Sequence, residues 1–408
     1  MSDTICAIDV GTTKVTALIA ELIDDETLEV VGFGKAPSEG MAKGVVTNVA
    51  AATASIGQAV EEAEHAADRS IARAYVGIAG SHIQAQQSKG AVPISRSRVV
   101  TSEDVGRVKE AARAVVLSHN REIIHVVARS YAVDEQEDLQ DPLGMHGFRL
   151  AVDAQVITGA TGAVRNLLSC VQTHGIEVEE LVLEPLASGQ AVLTDAEQEM
   201  GVVVVDIGGG TTDVAMFMKG SLWHTVVLDI GGQHLTQDLA VGLGAPFDAA
   251  EELKIRHGHV QANRVAQDQE VAIELFGENG PQTVPRHLVA EILEARAEEM
   301  IELILREIKR SGYEGLVPAG LVFTGGSSQL TGFRDLARRM TQVPVRVGTP
   351  RGVHGLIGKL MIPENATSIG LLLWAQRTQW DEAVYGAQSS ESPFTQRIMR
   401  WLGNFLPG

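Results

Sequence analysis

Two kinds of apolar pattern alternate along the chain. Short continuous or two-residue-period runs, such as "TICAIDV", "KVTALIAEL" and "ARAYVGIAG", have the form of strands. Between them lie stretches in which apolar residues return every three or four positions, the mark of amphipathic helices. The alternation predicts an α/β architecture. Helices are expected at about 48–68 and 163–174, through "PFDAAEELKIRHGHV", and through the long "RHLVAEILEARAEEMIELILREIKRSG". In the last, Ile301, Ile304, Leu305 and Ile308 repeat at i, i+3, i+4 and i+7, a core-facing stripe. From about 84 to 160 the texture changes. A helix capped by Thr101 with Asp104 as its box partner precedes two strands, "EIIHVVARSYAV" and "RLAVDAQVITG", which flank the loop "DEQEDLQDPLGMHG". This stretch reads as a compact inserted α+β module. "GLVFTGGSSQL" reads as strand, glycine turn and helix start, "NATSIGLLLWAQRTQW" closes the globular part, and "DEAVYGAQSSES" reads as a linker.

One apolar run breaks the pattern. "VVVVDIGGGTTDVAMFMKG" (202–220) places two aspartates, three glycines and two threonines between core strands. "AIDVGTTKV" (7–15) has the same parts, provided that a two-residue glycine insertion is allowed in the later copy. The copies lie about 200 residues apart, a separation that suits two related half-molecules better than a short-period solenoid.

The repeated residues point to phosphate chemistry. In a tight glycine turn, successive backbone N–H groups converge into a nest for anionic oxygens, which assigns this role to Gly11 and to Gly208, Gly209 and Gly210. Thr12, Thr13, Thr211 and Thr212 add neutral donors, and Lys14 adds a point charge suited to a β- or γ-phosphate. The acids Asp9 and Asp206 would repel phosphate unless a divalent cation lay between, so they imply Mg²⁺, held through water. Two such hairpins facing each other would clamp one polyphosphate. The pattern G-x-x-x-x-G-K-[ST] is absent, which disfavours the P-loop fold. Gly325 and Gly326 could let a flat ring lie against backbone, with Ser327 as a hydrogen-bonding neighbour. Glu251 and Lys254 share a helix face as an i, i+3 pair, which taken alone reads as a plain solvated ion pair. Glu184, at an apolar strand end before Pro185, could orient a water on a terminal phosphate. The 12 histidines show no metal spacing.

Length, charge and cysteines narrow the class. The chain has 408 residues, enough for two to four core-bearing units. Its formal charge of −19 is spread along the chain and repels nucleic acid. Cys6 and Cys170 are its two cysteines, which make neither a disulfide framework nor a zinc site and suit a reducing cytosol. The N-terminus does not read as a signal peptide, and no apolar run approaches the ~20 residues that span a bilayer. The tail is different. In "SPFTQRIMRWLGNFL" the residues Phe394, Ile398, Met399, Trp401, Leu402, Phe405 and Leu406 fall within one helical arc of roughly 160°. Arg397 and Arg400 lie opposite. Such a helix is too short to span a membrane and is suited to lie in an anionic lipid interface.

Taken in order, "DVGTTK", "LEPLAS", "DIGGGTTD", "AAEELK" and "FTGGSSQL" resemble the motifs of the actin/Hsp70/sugar-kinase superfamily. Within it the chain resembles the FtsA family of bacterial cell-division proteins over essentially its whole length, including "GMAKGVVTNV" (40–49), the inserted module and the amphipathic tail. The resemblance implies a two-lobed actin-like ATPase fold. Its subdomains would be 1A at 1–83, 161–197 and 355–380, 1C at 84–160, 2A at 198–241 and 315–354, and 2B at 242–314. A linker (381–391) and a membrane-targeting helix (392–408) would follow. It further implies nucleotide binding by Gly11, Thr12, Thr13, Lys14, the segment from Gly208 to Asp213, Glu251, Lys254, Gly325, Gly326 and Ser327, with Asp9 and Asp206 at Mg²⁺ and Glu184 at the water. ATPase activity would be weak at most. Expected partners are the chain itself in a filament, anionic lipid, the tail of the tubulin-like FtsZ and other division proteins, at the cytoplasmic face of the membrane at the division site. FtsZ would dock on 2B, where Arg286 and Arg296 are basic contacts for an acidic peptide. A PilM-like pilus-assembly scaffold and a small-molecule kinase or phosphatase remain open alternatives.

Overall fold

The computed structural model describes residues 4–23, 27–94 and 98–386. Its frame is one sheet motif used twice. In the first lobe Leu28–Pro37, Lys14–Leu22 and Thr4–Val10 form an antiparallel meander, extended in parallel by Arg73–Ile78 and Glu177–Leu183. In the second, Ser221–Leu228, Thr212–Met218 and Val202–Ile207 meander the same way, extended in parallel by Leu321–Thr324 and Val345–Val347. The first sheet gains one further edge strand, Val353–Gly355.

Both sheets are covered on both faces, so their central strands are buried and mostly apolar, with Asp9, Asp206 and Asp213 near the strand ends at the turns. Val202 and Val204 face a cluster shared with the helices Glu184–Val192 and Ala366–Gly386. Val203, Val205 and Ile207 face the opposite way, toward Arg286–Arg310 and Phe333–Thr341. In the first lobe Ile5 and Ala7 point to the shared middle layer, while Cys6, Ile8 and Val10 point to Val49–Ala67 and Thr161–Gln172. The two-residue period of a strand thus assigns alternate residues to two cores. Between the sheets, the two middle helices cross closely. A Cβ added at Gly370 would lie 1.8 Å from the Ala187 carbonyl oxygen, so only glycine fits there.

The inserted module folds as expected around a four-stranded antiparallel sheet in the order Gln84–Pro93, Arg149–Ala160, Arg121–Val133, Gln136–Leu139. Its helix Ser102–Arg113 carries the capping box of Thr101 and Asp104, and Val108, Ala112, Tyr131, Leu150 and Val152 form a core of its own. The first long helix is capped at Asn48 and ends on Asp68 in the left-handed conformation. Three local expectations shift, and one helix was not expected at all. The strand Gln136–Leu139 lies inside the stretch read as a loop. The helix Gly232–Leu243 was hidden by its Gly-Gly start. The chain after Gly325 makes a 3-10 turn, Gly326–Gln329, and the α-helix begins only at Phe333. Finally, Ala366–Gly386 continues through residues 381–386, the first part of the stretch read as a linker.

Candidate functional site

The two repeated hairpins make the same turn. Gly11 N–H donates to the Lys14 carbonyl at 3.0 Å, and Gly208 N–H donates to the Thr211 carbonyl at 3.0 Å. Strand pairing sets Asp9 opposite Thr16 and Asp206 opposite Asp213. The copies therefore align without a gap, which corrects the two-residue glycine insertion. Thr12 corresponds to Gly209, Thr13 to Gly210, and Lys14 to Thr211. Matching the Thr-Thr pairs by residue type shifts the register, because backbone hydrogen bonding and not side-chain identity defines the turn.

The turns meet across the interlobe cleft. A Cβ at Gly209 would fall 2.2 Å from Thr13 Cγ2, and one at Gly210 would fall 2.7 Å from Thr12 Oγ1. The threonines of one lobe thus occupy the space left by the missing side chains of the other. The cleft itself has a volume of about 670 Å³ and is lined from both lobes. Among the expected nucleotide residues, Gly11, Thr12, Thr13, Lys14, Gly208, Gly209, Thr211, Asp213, Glu251, Lys254, Gly325, Gly326 and Ser327 line it, as do Asp9, Asp206 and Glu184. Thr212 instead donates to the Ile230 carbonyl at 2.7 Å and serves the fold.

Four carboxylic acids converge there. Burial raises Asp9 above the ordinary aspartate range, pushes Asp206 up to about 6, and holds Asp213 and Glu184 well above their usual values. For Glu184 the neighbouring Asp9, Asp213 and Asp206 add to the effect of burial. Glu184 opens the helix Glu184–Val192 just past the strand end, with Pro185 fixing the first turn. The hydroxyls that receive these acids come from a segment sequence reading passed over: Ser368 donates to Asp9 at 2.8 Å and Thr367 donates to Asp206 at 3.1 Å. Lys14 Nζ is bound by the Glu364 carbonyl and by Asn365 Oδ1 at 2.8 Å. Burial lowers its pKa, with the Asp9 and Glu364 carboxylates opposing.

The second lobe closes the far side. Gly325 has φ +81°, and a Cβ there would lie 2.3 Å from Asp206 Oδ1, so this turn is reserved for glycine. Ser327 Oγ donates to the Gly208 carbonyl at 3.2 Å. Lys254 joins Glu251 at 2.7 Å, Thr236 at 2.8 Å and the Gly232 carbonyl at 3.1 Å, so the pair faces the cleft and is not simply solvated. Gly232 and Gln233 donate through their backbone N–H groups to the Gly208 and Gly209 carbonyls at 2.9 and 2.8 Å. These two residues line the cleft and were missed, although "DIGG" (229–232) repeats the letters of "DIGGG" (206–210).

Sequence comparison decides the family. The chain is 41% identical to the cell division protein FtsA of Pseudomonas aeruginosa, 38% to that of Neisseria meningitidis and 34% to that of Escherichia coli K12. Each alignment covers 98% of this chain and 97–98% of the relative. The chain belongs to the FtsA family. Residues 203–370 match the family "Cell division protein FtsA", and residues 80–158, the inserted module, match "SHS2 domain inserted in FTSA". Among solved structures it is similar in fold to the PilM–PilN type IV pilus biogenesis complex, with TM-score 0.65 and 17% identity over 91% of this chain and 98% of that one. It is also similar to the ethanolamine utilization protein EutJ of Carboxydothermus hydrogenoformans, with TM-score 0.53 and 18% identity over 91% and 90%. The expected two-lobed actin-like α/β fold is the one observed.

In this FtsA-family chain the acids fit a magnesium ion held largely through water. Among the described residues Asp213 Oδ1 is buried without a hydrogen-bond partner, and the buried carboxylates outnumber the buried Lys14 beside them. Among the described residues, no three or more His, Cys, Asp or Glu are spaced as a direct ligand set. The two partner arginines differ. Arg296 pairs with both Asp238 oxygens and with Glu299, which neutralises it. Among the described residues, Arg286 donates to neutral acceptors, the His257 carbonyl and Gln269 Oε1, each at 2.9 Å. The tail residues Phe394, Arg397, Ile398, Arg400, Trp401, Leu402, Phe405 and Leu406 lie outside the described residues. No helix among the described residues is long and apolar enough to cross a membrane.

Proposed function

We propose that this FtsA-family protein binds Mg·ATP between its lobes, assembles with itself into filaments, and ties FtsZ filaments to the inner face of the cell membrane at the division site. The observation that carries the nucleotide reading is the meeting of two equivalent glycine turns across a cleft floored by buried acids. The Gly11–Lys14 and Gly208–Thr211 turns would present N–H groups and hydroxyls to the phosphates from opposite lobes. Asp9 and Asp206 would hold the ion through water, and the ion would neutralise phosphate charge that these acids otherwise repel. Glu251, Lys254, Gly325, Gly326 and Ser327 would border the nucleoside. Glu184 would orient the attacking water in an at most weak ATPase, so that nucleotide state chiefly sets filament assembly.

The tail at 392–408 would lie in the lipid interface. One such helix binds modestly, and a filament multiplies it through effective concentration, so assembly and attachment reinforce each other. For the acidic FtsZ tail, Arg286 is the basic contact on 2B that meets no carboxylate among the described residues, whereas Arg296 is already engaged by carboxylates. Later division proteins would then gather on the tethered filament.

Cosedimentation with anionic liposomes tests the reading. The full chain with ATP should pellet with lipid. A chain lacking 392–408, or carrying Trp401→Glu, should bind ATP normally and stay in the supernatant. Pelleting of the truncated chain would remove the tail from membrane attachment.

A further inference from the structure

The strand Arg121–Val133 of the inserted module lies against an edge strand of each lobe: Glu177–Leu183 of the first sheet and Ser221–Leu228 of the second. His125, Val127 and Arg129 share its inward face. His125 Nε2 accepts the backbone N–H of Leu183, the residue before Glu184, at 3.1 Å. Its ring stands edge-on to Trp374, whose Nε1 donates to Glu180 at 2.9 Å. Trp374 sits on the helix that supplies Thr367 and Ser368 to the cleft acids. Burial pushes the His125 pKa down to about 4, so the ring is neutral and Nε2 keeps its lone pair for Leu183.

Four residues on, the same strand grips the other lobe. The Arg129 guanidinium lies 4.1 Å from the centre of the Trp223 ring, and its Nη2 donates to the Tyr313 hydroxyl at 3.0 Å. Gln155, on the neighbouring strand, donates to the Trp223 carbonyl at 2.7 Å. Val127 packs into the middle core between these two anchors. The Arg129 end has few hydrogen bonds: Nη1 lies 3.6 Å from Asp153 Oδ1 of its own module, an ion pair beyond hydrogen-bond distance, and among the described residues Arg129 Nε and Nη1, Trp223 Nε1 and Thr225 Oγ1 are buried with no hydrogen-bond partner. A contact built this way is held by stacking and by few directional bonds, so it can slide or part at less cost than a fully bonded core.

We propose that this strand is an interlobe brace: His125 positions the strand end carrying Glu184, Arg129 positions the second lobe, and together they keep the two phosphate turns in register. The inference rests on the nucleotide reading of the cleft. Because coupling is reciprocal, any ligand that displaces the inserted module changes ATP affinity, and ATP changes the affinity of that ligand. Loss of the brace lets the lobes sample states in which the turns do not face, and the apparent dissociation constant rises in inverse proportion to the fraction that remains competent.

The test is ATP affinity of the full chain, by titration, in Arg129→Met, Tyr313→Phe and the double variant. Both single variants should weaken ATP binding, Arg129→Met by roughly three- to tenfold, with melting temperature tracked in parallel. In the double variant the effects should not add, because both act through one contact. Tyr313→Phe removes one hydroxyl and supplies the answer if Arg129→Met does not fold. For the other anchor, His125→Gln, whose amide oxygen can accept the Leu183 N–H, should retain affinity that His125→Leu loses. Wild-type or tighter ATP affinity in the Arg129 and Tyr313 variants, with only melting altered, would overturn the brace. Absence of ATP binding by the wild-type chain would instead overturn the nucleotide reading beneath it.

Discussion

Replacing Asp206 by asparagine should stabilise the nucleotide-free protein and weaken its binding of Mg·ATP. Asp206 is 8% exposed, and burial pushes its carboxyl from an ordinary 3.8 to about 6, with Asp9 adding to the effect and the Thr367 hydroxyl opposing it. Keeping that group ionised in the folded state at neutral pH costs about 3 kcal/mol. Asparagine retains an acceptor for Thr367 but introduces amide N–H groups, and one left unpaired takes back about 1–2 kcal/mol. The net gain is roughly 1–3 kcal/mol. A carboxyl whose folded pKa is raised adds stability while protonated, and that contribution is lost as pH rises through the folded value. Near pH 4 the variant should therefore melt level with the parent or, if an amide N–H is left unpaired, behind it by about 1–2 kcal/mol. The variant should gain on the parent between about 4 and about 6, and hold a constant lead above that. Thermal melts from pH 4 to 8 without nucleotide, paired with ATP titrations at pH 7.5, give both readouts. Equal melting at pH 7.5, or a lead that shrinks with rising pH, would refute the claim that the cleft acids are an electrostatic load awaiting a cation.

Other substitutions probe the same site. Thr367→Val with Ser368→Ala removes the two hydroxyls received by Asp206 and Asp9, and Mg·ATP affinity should fall about tenfold or more, as expected for lost hydrogen bonds to charged groups; unchanged affinity in a titration would show that these hydroxyls do not shape the site. Gly370→Ala drives a methyl into the Ala187 carbonyl, and melting should show a loss of about 3 kcal/mol or more along with impaired nucleotide binding; a stable, ATP-binding variant would mean that the helix crossing is pliable. Glu184→Gln should leave ATP affinity within about threefold and slow residual hydrolysis at least about tenfold, and an unaltered turnover would remove Glu184 from the reaction.

The parts of this molecule written in local chemistry were legible in the sequence. The Thr101 cap, the paired Asp-Gly-Thr turns and the acid before Pro185 declare themselves within a few residues, because each is a local pattern of residue types. What escaped depends on distant backbone. Thr367 and Ser368 look like an ordinary helix start, and their importance comes from two acids more than 150 residues away. Gly370 looks like an unfavourable residue in a helix until the Ala187 carbonyl is placed against it. The register of the second hairpin was misjudged because threonines were matched by type, whereas the Gly208–Thr211 hydrogen bond fixes the turn. Arg296 carries a positive charge on a helix with nothing in its flanking sequence to reveal Asp238, which lies 58 positions earlier.

A structure of the full chain with Mg²⁺ and a non-hydrolysable ATP analogue bears most directly on all of this. The triphosphate should lie between the Gly11–Lys14 and Gly208–Thr211 turns, contacted by backbone N–H groups of both, with the ion on the side of Asp9 and Asp206. A nucleotide bound outside the interlobe cleft, or touching the turn of only one lobe, would contradict the shared phosphate clamp.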